Sequence, residues 1–396
     1  MTVANGREFL SIPGPTNVPD AVLAAMQRPA IDIYSGDMLE ITRSLHADLS
    51  KVFRTDSRVY IYAANGHGGW EAALSNVLSR GETVLVLESG LFAVGWGDMA
   101  KIMGVKVDVL KGDLRRAVSP EAVTQRLEAD TDHEIKAILV VQIDTASGVV
   151  NDIPAIRRAI DAARHPALLM VDAVASLGCM PFEMDAWGVD VAMSGSQKGL
   201  MTPPGLAFVA ANDRALAAHE KADLRTRYWD WTFRMGQVHY QKYGGTPPQH
   251  LLFALRKALD LLLAEGLPHA ARRHSLLAEA TRRAVARWAE GGALAFNVTE
   301  PAERGNSVTT VLTPGLDPKP LLDYCRFQCG VVVGVGIGEL SGKAFRIAHM
   351  GHVNAPMLFG VLGAIEMGLV ALAVPHGAGG VQAAVDYLAR EVRAQG

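Results

Sequence analysis

The chain has 396 residues, enough for one to three domains around a large core, and its 49% apolar and 20% charged residues are ordinary globular usage. A formal net charge of −3 gives no electrostatic reason for a nucleic acid or an anionic membrane to be the partner. Cys179, Cys325 and Cys329 argue against a disulfide framework and fit a reducing compartment, and no metal shell can be completed around the last two.

Residues 1–11 show no basic stretch ahead of an apolar run, so no secretory signal is expected and a cytoplasmic location is implied. Apolar runs then alternate with helical patterns. Strands are predicted at 59–63, 83–87, 106–109, 137–142, 167–172, 189–194 and 206–210. Helices are predicted between them at 69–78, 93–102, 120–128 and 153–163. That alternation indicates βαβ units and an α/β fold with a mostly parallel, seven-stranded sheet. After Pro248 long helices follow at 251–265 and 272–289. Short strands near 308–312, 330–334 and 345–348 then mix with helices near 320–327, 355–372 and 383–394.

Three parts are expected: an N-terminal arm over 1–20, a large domain over 21–265 and a smaller C-terminal α+β domain over 266–396. The stretch 357–374 is strongly apolar but holds Glu366 and lies between Pro356 and Pro375. A membrane span needs about 20 apolar residues, so a core helix is the better reading. Residues 393–396, Arg-Ala-Gln-Gly, form no retention or peroxisomal address.

Ligands in such sheets bind at the C-terminal ends of strands, and three of four chemistry-bearing pieces follow strands there. Asn65-Gly66-His67-Gly68-Gly69 sits between a strand and a helix, where backbone N–H groups and the helix N-terminus can hold an anion such as phosphate. It lacks the Lys-Ser/Thr of a Walker loop and the spacing of a dinucleotide fingerprint. Asp172 ends an apolar strand, and a buried carboxylate there needs a partner, for which a cationic ring nitrogen is suited. Lys198, in Ser194-Gly-Ser-Gln-Lys198, follows the next strand; as a nucleophile it needs surroundings that lower its pKa. Arg346 lies inside a short apolar strand, and its guanidinium can grip a carboxylate through two parallel hydrogen bonds. Each piece also has an ordinary explanation: a glycine turn, a helix-capping Asp, a surface lysine, a structural salt bridge.

In this order the pieces resemble the class V aminotransferases of fold type I, the pyridoxal 5′-phosphate (PLP) enzymes, and within them the serine–glyoxylate and alanine–glyoxylate aminotransferase group. The resemblance covers almost the whole chain. It runs from Ile12-Pro-Gly-Pro-Thr-Asn-Val-Pro19 through Trp70-Glu-Ala-Ala-Leu74, Asp144-Thr-Ala-Ser-Gly-Val149, Val171-Asp-Ala-Val-Ala-Ser-Leu177 and Asp185-Ala-Trp-Gly-Val-Asp190. Ser194-Gly-Ser-Gln-Lys198, Gly342-Lys-Ala-Phe-Arg346-Ile and Gly351-His-Val-Asn354 complete it.

The resemblance implies that Lys198 carries PLP as a Schiff base and shuttles the proton, while Asp172 pairs with the pyridine nitrogen. It implies Phe92 stacked on the ring, Thr145 near O3′, and Gly66, His67 and Gln197 on the phosphate side. Tyr243 and Thr246 would reach the phosphate from a neighbouring subunit, which makes a homodimer with shared sites, or a tetramer, the functional unit. Arg346 would bind the α-carboxylate. The implied reaction moves an amino group between a small amino acid, such as serine or alanine, and glyoxylate or pyruvate, by a ping-pong route.

Some positions depart from the group. Tyr34, in Asp32-Ile-Tyr-Ser-Gly-Asp37, stands where an arginine of the substrate side is expected, which disfavours a dicarboxylic donor. Asn65-Gly-His-Gly-Gly replaces a Thr-Gly-Thr-Gly form, and Gln142-Ile-Asp-Thr145 replaces a His-Asn-Glu-Thr form. PLP binding is expected to survive these changes and the substrate to differ, so an unusual amine, such as pyridoxamine or an aminophosphonate, is the alternative. A cysteine desulfurase would need a cysteine shortly before Arg346, and the stretch 334–342 has none. A non-catalytic PLP-binding regulator would need a separate DNA-binding domain, and the pattern, begun within the first 20 residues, leaves no place for one.

Overall fold

The computed structural model describes residues 2–392. Its elements begin with β1 (Phe9–Ser11), α1 (Asp20–Met26), α2 (Asp37–Phe53), β2 (Arg58–Ala63), α3 (Gly66–Val77), β3 (Thr83–Leu87), α4 (Leu91–Ile102) and β4 (Lys106–Leu110). There follow α5 (Pro120–Glu128), β5 (Ile135–Val141), α6 (Ile153–Ala162), β6 (Leu168–Asp172), β7 (Val191–Gly195), β8 (Leu206–Ala211), α7 (Asp213–His219) and α8 (Trp231–Arg234). The remainder is α9 (Gln249–Glu265), α10 (Leu267–Ala289), β9 (Ala295–Phe296), β10 (Val308–Leu312), α11 (Lys319–Cys329), β11 (Val331–Val335), β12 (Ala344–Ala348), α12 (Ala355–Ala371) and α13 (Gly380–Glu391). The helix expected over 383–394 starts earlier; residues 393–396 lie outside the described residues.

The seven-stranded sheet has the order β2-β8-β7-β6-β5-β3-β4, and its pairings are parallel except where β8 meets β2 and β7. Helices cover both faces, so alternate residues of one strand enter two different cores. Leu85 and Leu87 face one core, and Val84 and Val86 the other. This is why the strands read as unbroken apolar runs. The smaller sheet has the order β1-β11-β12-β10-β9 and a core of its own that includes Phe345, Ile347 and Leu362. The N-terminal strand β1 pairs in parallel with β11 of that sheet.

Six elements were not foreseen: β1, α1, α2, α7, α8 and β9. The 17-residue helix α2 buries Met38, Thr42, Leu45, Leu49 and Val52 at alternating steps of four and three. Strand β1 is 3 residues long and pairs with residues more than 300 positions away, a match invisible to local pattern. The two sheets are stitched along one seam. Gly305 donates to the Gly148 carbonyl at 2.9 Å, and Arg116 grips Glu303 through two bonds of 2.8 and 2.9 Å. The expected core helix over 355–372 is α12, and among the described residues no helix is long and apolar enough to cross a membrane.

Candidate active site

Strand β6 is buried along its whole length and delivers Asp172 to its C-terminal end, 3% exposed. Both carboxylate oxygens have donors: the Val174 N–H reaches Oδ1 at 2.7 Å and the Trp70 indole N–H reaches Oδ2 at 2.7 Å. Burial pushes this carboxyl up to about 6; the two donors and Lys198 oppose the rise, and Asp144 adds to it.

The neighbouring strand β7 ends at Gly195, and a tight turn carries Lys198. The Ser196 hydroxyl ties this turn across its base, donating to the Pro203 carbonyl at 2.7 Å and accepting from the Leu206 N–H at 3.2 Å. Gly199 is required there, because a Cβ would sit 2.2 Å from the Leu177 carbonyl oxygen. The Lys198 amine donates to the Pro13 carbonyl. Desolvation and the nearby Arg346 push its pKa down to about 8, against the pull of Asp172 and Cys179. An amine so placed is a better nucleophile near neutral pH than a surface lysine.

Helix α3 opens on glycine. The Asn65 side chain caps it, accepting from the His67 N–H at 3.1 Å and the Gly68 N–H at 3.3 Å. The Gly66 N–H has no partner among the described residues, and the helix N-terminus adds positive potential beside it. Gln197 faces this turn, with a buried Oε1 that has no partner. His67 packs edge-on to Trp70 at 4.7 Å, and desolvation together with Lys198 lowers its pKa.

These groups enclose a cavity of about 210 Å³. Lys198, Asp172, Thr145, Gly66, His67 and Phe92 are among the residues that line it, and Gly14 joins them from the N-terminal segment. Larger clefts of about 540 and 660 Å³ lie elsewhere, but neither pairs a buried acid with a depressed amine. Arg346 stands just behind the cavity wall, 7% exposed, donating to the Thr145 carbonyl at 2.9 Å and the Val335 carbonyl at 2.7 Å. It makes no ion pair among the described residues.

Of the residues singled out in the sequence, Gly66, His67, Phe92, Thr145, Asp172, Gln197 and Lys198 line one cavity, and Arg346 adjoins it. Three do not. Tyr34 is 68% exposed on the loop before α2, away from the cavity walls of its own chain. Tyr243 is 1% exposed, and its hydroxyl lies 2.7 Å from the Thr42 hydroxyl of its own chain. Thr246 is exposed. Trp70, Asp144 and the Pro13-Gly14 segment were not assigned roles from the sequence, although each lies in a stretch quoted for the resemblance. Cys325 and Cys329 sit on α11, and neither lines the cavity. Among the described residues no group of three or more His, Cys, Asp and Glu side chains is arranged to hold a metal ion.

Comparison with known proteins places this geometry. A family model described as aminotransferase class-V matches residues 9–346. The serine–glyoxylate aminotransferase of Methylorubrum extorquens is 41% identical over 391 residues, covering 97% of this chain and 96% of that protein. The L-aspartate–glyoxylate aminotransferase of Paracoccus denitrificans is 36% identical over 379 residues, covering 95% of each. Among solved structures, pyridoxamine–pyruvate aminotransferase from Mesorhizobium loti superposes with a TM-score of 0.90 at 28% identity, over 99% of this chain and 100% of that one.

Proposed function

The chain belongs to the class V aminotransferases, and from that premise we propose that it holds PLP between Asp172 and Lys198 and moves an amino group between a small amino acid and glyoxylate or pyruvate. The observation that carries this reading is the shared cavity: a buried carboxylate with raised pKa and an amine with lowered pKa face one space.

The residues present fit the cofactor part by part. Asp172 offers the ring nitrogen an anion whose burial a cation would relieve. Lys198 would take the aldehyde, and Phe92 would cover a ring face. The free Gly66 N–H, the α3 N-terminus, His67 and the unpartnered Gln197 would receive the phosphate, with Thr145 near O3′. When bound, the cofactor supplies an electron sink for the charge left on the substrate's α-carbon and a carrier for the amino group.

The chain's own work is then positional and acid–base. Arg346 holds the substrate carboxylate. Lys198 would be the base that takes the α-proton and later returns one. Its lowered pKa keeps a usable neutral fraction near pH 7. One site serving two half-reactions in turn makes the kinetics ping-pong.

The charges around the cavity favour a monocarboxylic donor. Lys198 is the sole Lys or Arg among the lining residues, so a second carboxylate on the donor would have no counter-ion in this chain. Thr246, being exposed, is available to a neighbouring copy, and a homodimer with shared sites is part of the proposal. A less common amine is the second reading, favoured by the likeness to the pyridoxamine–pyruvate enzyme.

The test adds amino acids one at a time to PLP-loaded protein and follows the cofactor's absorbance. A small monocarboxylic amino acid should convert the bound cofactor to its amine form with no acceptor present. Conversion by pyridoxamine-like amines alone would move the assignment to the second reading. Lys198→Ala should lose both the absorbance of the lysine-bound cofactor and turnover; an active variant would refute the site.

A further inference from the structure

We propose that Asp144 is a positioning residue: its carboxylate sets the place of Phe92 on one wall of the cavity and, through the turn it begins, of the Arg346 guanidinium behind another. The inference rests on the roles given above to Phe92 and Arg346.

Asp144 is fully buried and is not among the residues that line the cavity. Its Oδ2 accepts from the Phe92 N–H at 2.9 Å and the Ala93 N–H at 3.1 Å, and its Oδ1 accepts from the Ala146 N–H at 3.0 Å. The first two donors belong to the opening turn of the 12-residue helix α4. A helix start is usually satisfied by a side chain of its own N-cap residue. Here the N-cap is Gly90, which has no side chain, and a Cβ on it would lie 2.2 Å from the Asp144 Cγ. The helix that carries Phe92 is therefore capped from a different loop, the one that carries Thr145.

The same loop meets Arg346. Asp144 accepts at its backbone carbonyl from the Gly148 N–H at 2.8 Å, which closes the turn 144–148. That turn presents the Thr145 carbonyl to Arg346 Nη1 at 2.9 Å. Arg346 has no ion-pair partner, and Asp144 is the anion whose field supports its charge. A local cap at position 90 would stabilise α4 equally well. It would not tie the Phe92 wall to the Arg346 wall.

Asp144→Asn should raise the amino-acid KM roughly ten- to hundredfold with a smaller change in kcat, as expected when hydrogen bonds to a charged group are lost. It should also weaken PLP binding to the apo-protein in an equilibrium titration. A purely structural cap is separated by the double variant Gly90→Ser with Asp144→Ala, which restores a local cap in the space vacated. Positioning predicts that the double variant regains the melting temperature but keeps the raised KM and the weakened PLP affinity. Recovery of all three would overturn the proposal. Arg346→Lys distinguishes the premise: unchanged KM there removes the carboxylate role of Arg346, whereas raised KM there with unchanged KM in Asp144→Asn overturns Asp144 alone.

Discussion

The indole N–H of Trp70 reaches the Asp172 carboxylate at 2.7 Å, inside a stack with Trp96 at 6.1 Å between centroids. A carboxylate raised to about 6 is ionised above that pH and neutral below it. Only the ionised form can pair with a cationic ring nitrogen. Trp70 donates to the ionised form, and so does Val174; Lys198 supports the charge and Asp144 opposes it. Trp70→Phe keeps the aromatic packing and removes one donor, so the carboxyl pKa should rise further. The acid limb of PLP binding, measured by titrating apo-protein at a series of pH values, should move up by roughly 1–2 pH units. A limb that stays in place would show that the indole does not set the Asp172 charge.

At the scale of elements, α3 shows how far local rules reach. Asn65 is its cap, and Asn65→Ala should cost about 1 kcal/mol of stability in a denaturant titration. An unchanged unfolding midpoint would mean that the sheet alone holds the helix start. The strands that deliver Asp172 and Lys198 were legible because both their faces are buried, which turns them into short apolar runs ending in a polar residue. Helix α2 was missed although its buried positions, Met38, Leu45, Leu49 and Val52, follow helical spacing; polar and charged residues fill many of the steps between them. The partner of β1 was illegible because register across hundreds of residues leaves no local trace. The bond between the Tyr243 and Thr42 hydroxyls was illegible for a related reason: it ties Tyr243 to a helix that the pattern had not revealed. That Gly66, Asp172 and Lys198 follow strands could be read from chain order alone, whereas the tie from Asp144 to Phe92 needed coordinates.

For the whole molecule, the cavity gathers charges whose burial weakens the empty protein. Asp172 is raised from 3.8 to about 6, so the cost of its charge is full above about 6 and is relieved as pH falls toward 3.8. Lys198 is lowered from 10.5 to about 8, so its cost is present below about 8 and is relieved as pH rises toward 10.5. Between about 6 and 8 both are charged, and their attraction offsets part of the penalty. Removing the amine should therefore stabilise the cofactor-free chain. Lys198→Met is expected to be more stable than the wild-type apo-protein at pH 7 by up to roughly 3 kcal/mol, the free energy of a pKa depressed by this much. The gap should shrink as pH passes 8 toward 10, where the wild-type amine is neutral in the folded chain and increasingly neutral in the unfolded one. PLP should reverse the order, because the wild type gains binding free energy that the variant cannot gain at that position. Melting both proteins with and without PLP across that pH range decides the matter. A gap of zero, or one that ignores pH, would mean that Lys198 is not strained by its surroundings, and the nucleophile would need another source of activation.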